Sequence, residues 1–415
     1  MKKVWDYLVK VPMLWVFIAI TIIFAFPAIG ASAELDRYAV ITAIGVDKGQ
    51  SEGSYDVSLL MFIPIAEQTF TENYKVISSE GNTLTEAINL AGLHVGRKIG
   101  LSHIKTIVVN EEVIHEDITN ILDFLGKCRN VASSSKLITT NATAKDFLSS
   151  VEKLDTDSAI KISELVNYNQ DYIYAYDSTI ELFFKRMFGP THTALVPFLK
   201  LEEEDSEGLS VAATDSQQSS GGGQSSSGGQ GQQENKEVLN DGDAYVFKDG
   251  KAIMFLDSDQ VEDINLVCGG YKEGSLEIDH FTDDMFNDAK LSFEILNNTV
   301  RYRIVYQNDT PIFCIDLSLV LNLSEAVNKD NKIEENIEFK NLPDSMIGAI
   351  EKKVREKFAN AISIMRDNKA DIGNFYTVMY NSDKHKFLKF LESLEDSEDY
   401  LNNMVFKMSL KISSQ

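Results

Sequence analysis

Residues 11–29, VPMLWVFIAITIIFAFPAI, contain no charge, and at about 1.5 Å per residue in a helix they can cross a hydrocarbon core of about 30 Å. A stretch with no polar face has no place as a core helix of a soluble domain, so it constrains the chain more than any other feature. Its bulky apolar residues include Leu14, Trp15, Phe17, Ile18, Ile22 and Phe24. Lys2, Lys3 and Lys10 precede it against Asp6 alone, so the positive-inside rule keeps the short amino end in the cytoplasm and sends everything after Ala33 across. Ala31-Ser32-Ala33 is a small-x-small cleavage pattern with Pro27 upstream, as in a signal peptide, but a signal's apolar region usually spans only about 7–15 residues. A retained single-pass anchor and a signal cut after Ala33 both stay open.

Setting aside Lys2, Lys3, Lys10 and Asp6 leaves 36 basic and 62 acidic residues of the chain's 39 and 63. Such an exterior repels nucleic acid and anionic lipid heads. Cys128, Cys268 and Cys314 are odd in number and far apart, so neither a disulfide framework nor a CxxC metal site is legible. Buried thiols are the plain reading, although an exported chain could form one pair, such as Cys268 with Cys314.

Tyr38–Asp47 and Tyr55–Pro64 are β-branched and aromatic runs separated by KGQSEGS, which predicts a hairpin with a longer loop, and Asn73–Ser79 is a third strand. Thr83 with Glu86 spells a capping box for a helix whose apolar positions are Leu84, Ala87, Ile88 and Ala91. Strands at His103–Asn110 and Lys136–Thr140 then alternate with helices at Ile118–Leu125 and after Thr143. That order predicts a mixed sheet. Helices follow at Ala159–Asn167 and, after a capping box at Ser178–Glu181, at Ile180–Met187; Leu195–Leu201 is a closing strand.

From Glu202 to about Lys236 the chain turns into an acidic cluster and then SQQSSGGGQSSSGGQGQQ, which buries almost nothing and reads as a flexible tether. It lacks the strand, helix and Lys-Ser/Thr that a phosphate-cradling loop requires. Beyond it, Ala244–Lys248 and Lys251–Asp257 flank the tight turn Asp249-Gly250. Leu291–Ile295, Thr299–Gln307 and Ile312–Leu323 form further strands, joined at Asn297-Asn298 and Asp309–Pro311. Pro343 and Asp344 begin the longest helix, with Ile347, Ile350, Val354, Phe358, Ala361, Ile362 and Met365 on one face and Lys and Glu on the other. A helix near Lys384–Leu394 and a strand at Met404–Ile412 complete the chain.

The fold class expected is therefore α+β. A membrane segment or signal occupies 1–33, and a mixed-sheet domain with a helical part at 158–190 occupies 34–201. A linker follows at 202–237, then an antiparallel-sheet domain with long helices at 238–415.

No catalytic or metal-binding constellation is legible, and no cofactor is expected. His94, His103, His115, His192, His280 and His385 are scattered without an HExxH or i, i+4 pair. Asp155/Asp157 and Asp257/Asp259 read as helix-start or loop residues in so acidic a chain, and no GxSxG elbow occurs. Gly92, Gly96 and Gly100 are interrupted by Arg97 and Lys98, which marks a frayed helix end running into a loop. The tyrosines of DYIYAY, ending at Tyr176, suit a core segment and a contact patch equally.

Several stretches resemble one known family in the right order. ELDRYAVITAIGVDKG, SSEGNTLTEAINLAGLHVGRKIGLSHIKTIVVNEE, LDFLGKCRN and ATAKDFL look like the amino-terminal domain of the Ger(x)C family. DGDAYVFKDGKAIMFLD and MRDNKADIGNFYTVMY resemble its later hairpin and late helix. The residues that carry the resemblance are mostly packing and turn positions: Gly45, Asp47, Gly81, His103, Asp146, Asp371 and Gly373. The resemblance implies an α+β, non-catalytic C subunit of a spore germinant receptor, on the outer face of the inner spore membrane beside an integral, transporter-like B subunit and an A subunit. Members usually carry a lipobox cysteine, whereas Ala31-Ser32-Ala33-Glu34 stand here, so no lipidation is expected and attachment falls to the apolar segment or to partners. The glutamine-serine-glycine insert is also longer than the family requires. An extracytoplasmic solute-binding protein is the alternative, and an exported hydrolase a more distant one.

Overall fold

A computed structural model describes residues 38–63, 73–116, 118–128, 130–152, 176–203, 236–269, 271, 273–328 and 342–414. The apolar run with its six named residues, the helix expected at Ala159–Asn167, Asp155/Asp157 and most of the tyrosine segment lie outside these residues. Among the described residues no helix is long and apolar enough to cross a membrane.

Three antiparallel strands, β1 (Tyr38–Lys48), β2 (Tyr55–Ile63) and β3 (Asn73–Gly81), lead into α1 (Leu84–Val95). Then come β4 (Lys98–Gly100), β5 (Thr106–Asn110), α2 (Glu111–Ile114), α3 (Thr119–Lys127), β6 (Lys136–Thr140), α4 (Ala144–Glu152), α5 (Ile180–Met187) and β7 (Thr193–Glu203). β1, β5, β6 and β7 lie side by side and parallel. Every residue of β5 and β6 is buried, because helices cover both faces of the parallel part: α1, α3 and α5 on one, α4 on the other.

β8 (Lys236–Leu239), β9 (Ala244–Lys248) and β10 (Lys251–Leu256) follow the Gln/Ser/Gly stretch. β9 pairs antiparallel with β7, so the first sheet, ten-stranded among the described residues, runs β10-β9-β7-β6-β5-β1-β2-β3, with β4 on β1 and β8 on β7. The division expected at 202–237 is thus crossed by backbone hydrogen bonds. Composition marks where the chain changes character, while pairing with β7 carries the sheet on through β9 to β10.

The remainder is α6 (Ser258–Cys268), β11 (Ser275–Phe281), β12 (Ala289–Gln307), β13 (Thr310–Val327), α7 (Asp344–Asp367), α8 (Phe375–Ser382), α9 (Lys384–Glu392) and β14 (Val405–Ser414). The second sheet has the order β11-β12-β13-β14. Its first three strands are antiparallel, but β14 lies parallel to β13, a correction to the all-antiparallel sheet expected there. The joint expected at Asn297-Asn298 lies within one long strand, just past a bulge between Ile295 and Asn297, and pairing with β13 continues on both sides. One apolar cluster fuses the halves: Leu195 of β7 and Val246 of β9 share it with Phe313, Met365, Phe375 and Phe387.

Local signals set most boundaries. Thr83 accepts from the Glu86 N–H at 3.1 Å, although Glu86 returns its bond to Asn82 rather than to Thr83. Asp249 and Gly250 both take positive φ, as the tight β9–β10 turn requires. The cap of α5 is Thr179, not Ser178. His103 lies in an exposed turn ahead of β5, not in the strand. On α7 the lysine face is interrupted: Lys357 is buried, 3.0 Å from both Glu262 and Asp263 of α6.

Candidate functional site

Two buried aspartates organise the residues that carry the family resemblance. Asp47, near the end of β1, is 7% exposed and its carboxylate accepts from the N–H groups of Ala144 at 2.6 Å and Lys145 at 3.1 Å, so a strand caps the distant helix α4. Burial pushes its pKa up to about 6, against the pull of those two N–H groups; Asp56 and Asp146 push the same way as burial. Gly45 lets α4 come this close, since a Cβ there would sit 2.9 Å from that of Ala144. Thr143 adds the local cap, accepting from the Asp146 N–H at 3.0 Å.

Around this knot, at the carboxyl ends of β1, β5 and β6, lies a crevice of about 400 Å³ lined by Asp47, Asn110, Glu111, His115, Asn141 and Thr143, among others. In α/β sheets that is where ligands bind, with helix N-termini holding anions. Here the first N–H groups of α4 already hold Asp47. The other polar groups are braced internally: Asn110 donates to the Ala142 carbonyl at 2.6 Å, Asn141 accepts from the Leu201 N–H at 2.9 Å, and Glu111 accepts from the Tyr245 hydroxyl. The crevice works as a joint between strand ends and helix starts.

Asp371 forms the second knot, between α7 and α8. It is 2% exposed and accepts from the N–H groups of Phe375 and Tyr376, each at 2.8 Å, and from the Tyr400 hydroxyl at 2.6 Å. Burial holds its carboxyl above the usual range, against those donors and against the guanidinium of Arg186 on α5. Arg186 also bears on Tyr176, Cys268 and Tyr302; burial raises all three and pushes the Cys268 thiol up to about 12. A Cβ on Gly373 would meet the Phe375 ring at 2.5 Å, and that ring is locked between Phe313 and Phe406 at 4.7 and 5.4 Å.

The signature residues therefore fall into separate places. Gly45, Asp47 and Asp146 gather at the start of α4, and Asp371 and Gly373 at the start of α8. Gly81 allows the first turn of α1 to touch β3, where a Cβ would lie 2.6 Å from the Ala87 nitrogen. His103 joins none of these groups. The cysteines are free thiols; Cys268 lies beneath the second sheet against Tyr302, whereas Cys314 faces the other side, in register with Arg303 and Lys407, so the two do not pair. Among the described residues no cluster of His, Cys, Asp and Glu is arranged to hold a metal ion. Arg186, Tyr400 and the Lys357–Glu262–Asp263 triad were invisible in sequence, because each finds its partners across a long loop or another element.

Two sheets fused through one apolar cluster, with helices pinned by buried carboxylates, define an α+β protein built to hold a shape. Comparisons with known proteins give it a family. The family model described as "Spore germination protein N-terminal domain" matches residues 31–201, and "Spore germination B3/ GerAC like, C-terminal" matches residues 242–413. The chain belongs to the Ger(x)C family of spore germination proteins. It is 22% identical over 192 residues to spore germination protein KC of Bacillus subtilis (strain 168), a match that covers 44% of this chain and 47% of that protein, about half the relative's length. Its fold is similar to that of the GerBC protein crystal structure, with a TM-score of 0.50 and 14% identity over 90% of this chain and 96% of that one.

Proposed function

We propose that this protein is the C subunit of a spore germinant receptor, held on the outer face of the inner spore membrane by residues 11–29. There it acts as a docking partner of an integral B subunit and an A subunit in nutrient-triggered germination. The observation that supports this most is the order of the two family matches, over 31–201 and 242–413, directly behind a charge-free run with lysines on its amino side. The knots fit a scaffold, since their polar groups are spent on one another. The alternative of a solute-binding protein calls for a deep polar pocket between the halves, yet the crevice above is lined from the first half alone.

Deleting the gene tests the reading. Spores are expected to form normally and to lose their response to some nutrients, with recovery when the intact gene is returned. Normal germination across a broad nutrient panel, with no paralogue present, would contradict it.

A further inference from the structure

The chain carries a net charge of −24, yet three stretches, 87–110, 124–145 and 182–201, contain no Asp or Glu. The fold brings turns from all three to one end of the first sheet, where the parallel strands begin. Tyr38 starts β1 in register with Lys98, and the Lys98 ammonium stands 5.7 Å from the Tyr38 ring. The Lys105 N–H bonds the Thr42 carbonyl at 2.8 Å, that of Lys136 bonds the Lys105 carbonyl at 2.8 Å, and that of Ile180 bonds the Ser135 carbonyl at 2.9 Å. Arg97, Lys98, Lys105 and Lys185 are exposed here, as is Lys127, which pairs with Asp123 at 2.7 Å. Lys136 is buried against Asp177, and Arg186 is turned into the protein, so neither belongs to this surface.

The same end carries Leu93 and Phe188, 76% and 71% exposed, the most exposed of the large apolar side chains described. Leu93 lies in the last turn of α1. Phe188 stacks on Phe184, at 5.5 Å between ring centres, and Phe184 packs against Gly126 near the end of α3. Among the described residues Arg97, Lys98, Lys105 and Lys185 form no ion pair, and with two acids nearby, Glu181 and Asp249, they still outnumber the negative charge here; exposed apolar side chains among such cations suit a lipid interface. Residues 30–37 alone separate the apolar run from Tyr38, and eight extended residues span at most about 30 Å.

We infer that this end of the first sheet rests on an anionic lipid headgroup layer. Arg97, Lys98, Lys105 and Lys185 lie over the phosphates, and Leu93 and Phe188 enter the interface. The inference rests on the anchored reading above. It also explains how so acidic a chain tolerates a membrane surface: the acidic remainder is repelled, and the repulsion turns the basic end down.

Amide hydrogen exchange tests this on the full chain, reconstituted into phosphatidylcholine vesicles with or without phosphatidylglycerol. Segments 92–105 and 184–190 are expected to exchange more slowly with phosphatidylglycerol present, and the protection should fade in high salt. Arg97→Gln/Lys98→Gln/Lys105→Gln, at exposed positions, should shift the docked population by on the order of a hundredfold at an unchanged melting temperature. A chain that survives alkaline carbonate extraction yet shows no lipid-dependent protection overturns the inference and leaves the anchor standing. A chain stripped from the vesicles by carbonate overturns both. Protection that follows protein concentration instead of phosphatidylglycerol would assign the face to a second copy. Protection seen only in spore membranes would assign it to a protein partner. Either result contradicts the inference.

Discussion

Asp47 and Asp371 do the same job in surroundings that differ in one respect. Each is a buried carboxylate that accepts two backbone N–H bonds at the start of a helix, α4 and α8 respectively. Asp47 borders a polar crevice and has no other donor among the bonds described, whereas Asp371 is sealed beneath an aromatic cluster and also takes the Tyr400 hydroxyl and the influence of Arg186. The comparison teaches that the cost of removing a cap depends on what is left dry behind it, more than on the cap itself.

Four measurements break or sharpen that contrast. The largest effect is expected for Asp371→Ala, which leaves two N–H groups and a hydroxyl without their acceptor in a closed core and removes the negative charge that Arg186 feels there; urea unfolding should show a loss of about 3–5 kcal/mol. A loss no greater than that of Asp47→Ala, about 1–2 kcal/mol as for an ordinary helix cap, would erase the distinction.

Next comes pH. Asp47 holds its proton more tightly folded, with a pKa of about 6, than unfolded, so its contribution to stability is fully present below about pH 4 and is lost as pH rises through about 6. The change is at most about 3 kcal/mol, and Asp47→Asn should flatten it in unfolding curves at pH 4.5 and 7. An unchanged pH slope in that variant would show that another group carries it.

Gly45→Ala should cost about 2 kcal/mol by pushing α4 off β1, read as a lower melting temperature. Smallest is Tyr400→Phe, about 1 kcal/mol, since Asp371 keeps its two N–H donors. A cost near that of Asp371→Ala would mean that the hydroxyl, rather than the helix cap, is the chief partner.

What could be read from sequence follows the distance over which each interaction acts. Thr83, Asp249-Gly250 and Pro343 signal their helix start or turn within a few residues, and those elements lie where the local signals put them. Asp47 meets Ala144 from 97 positions away, and Lys357 meets Asp263 from 94, so no window of sequence contains either pair. The direction of β14 was hidden for a different reason: apolar-polar alternation reads the same for a parallel and an antiparallel partner. At His103-Ile104-Lys105 alternation misled, because the buried Ile104 sits in a turn between exposed neighbours. The seven residues carrying the resemblance gave away the family without giving away a site, since six of them lie at helix starts or close backbone approaches.

The central claim is the proposal of place, that residues 11–29 anchor the chain in a membrane and the folded part stands outside it. Reporters fused after Gln415 and expressed in the sporulating cell test it most directly. An active alkaline phosphatase fusion and a silent β-galactosidase fusion are expected; the reverse pair would put the carboxyl end in the cytoplasm and contradict the proposal.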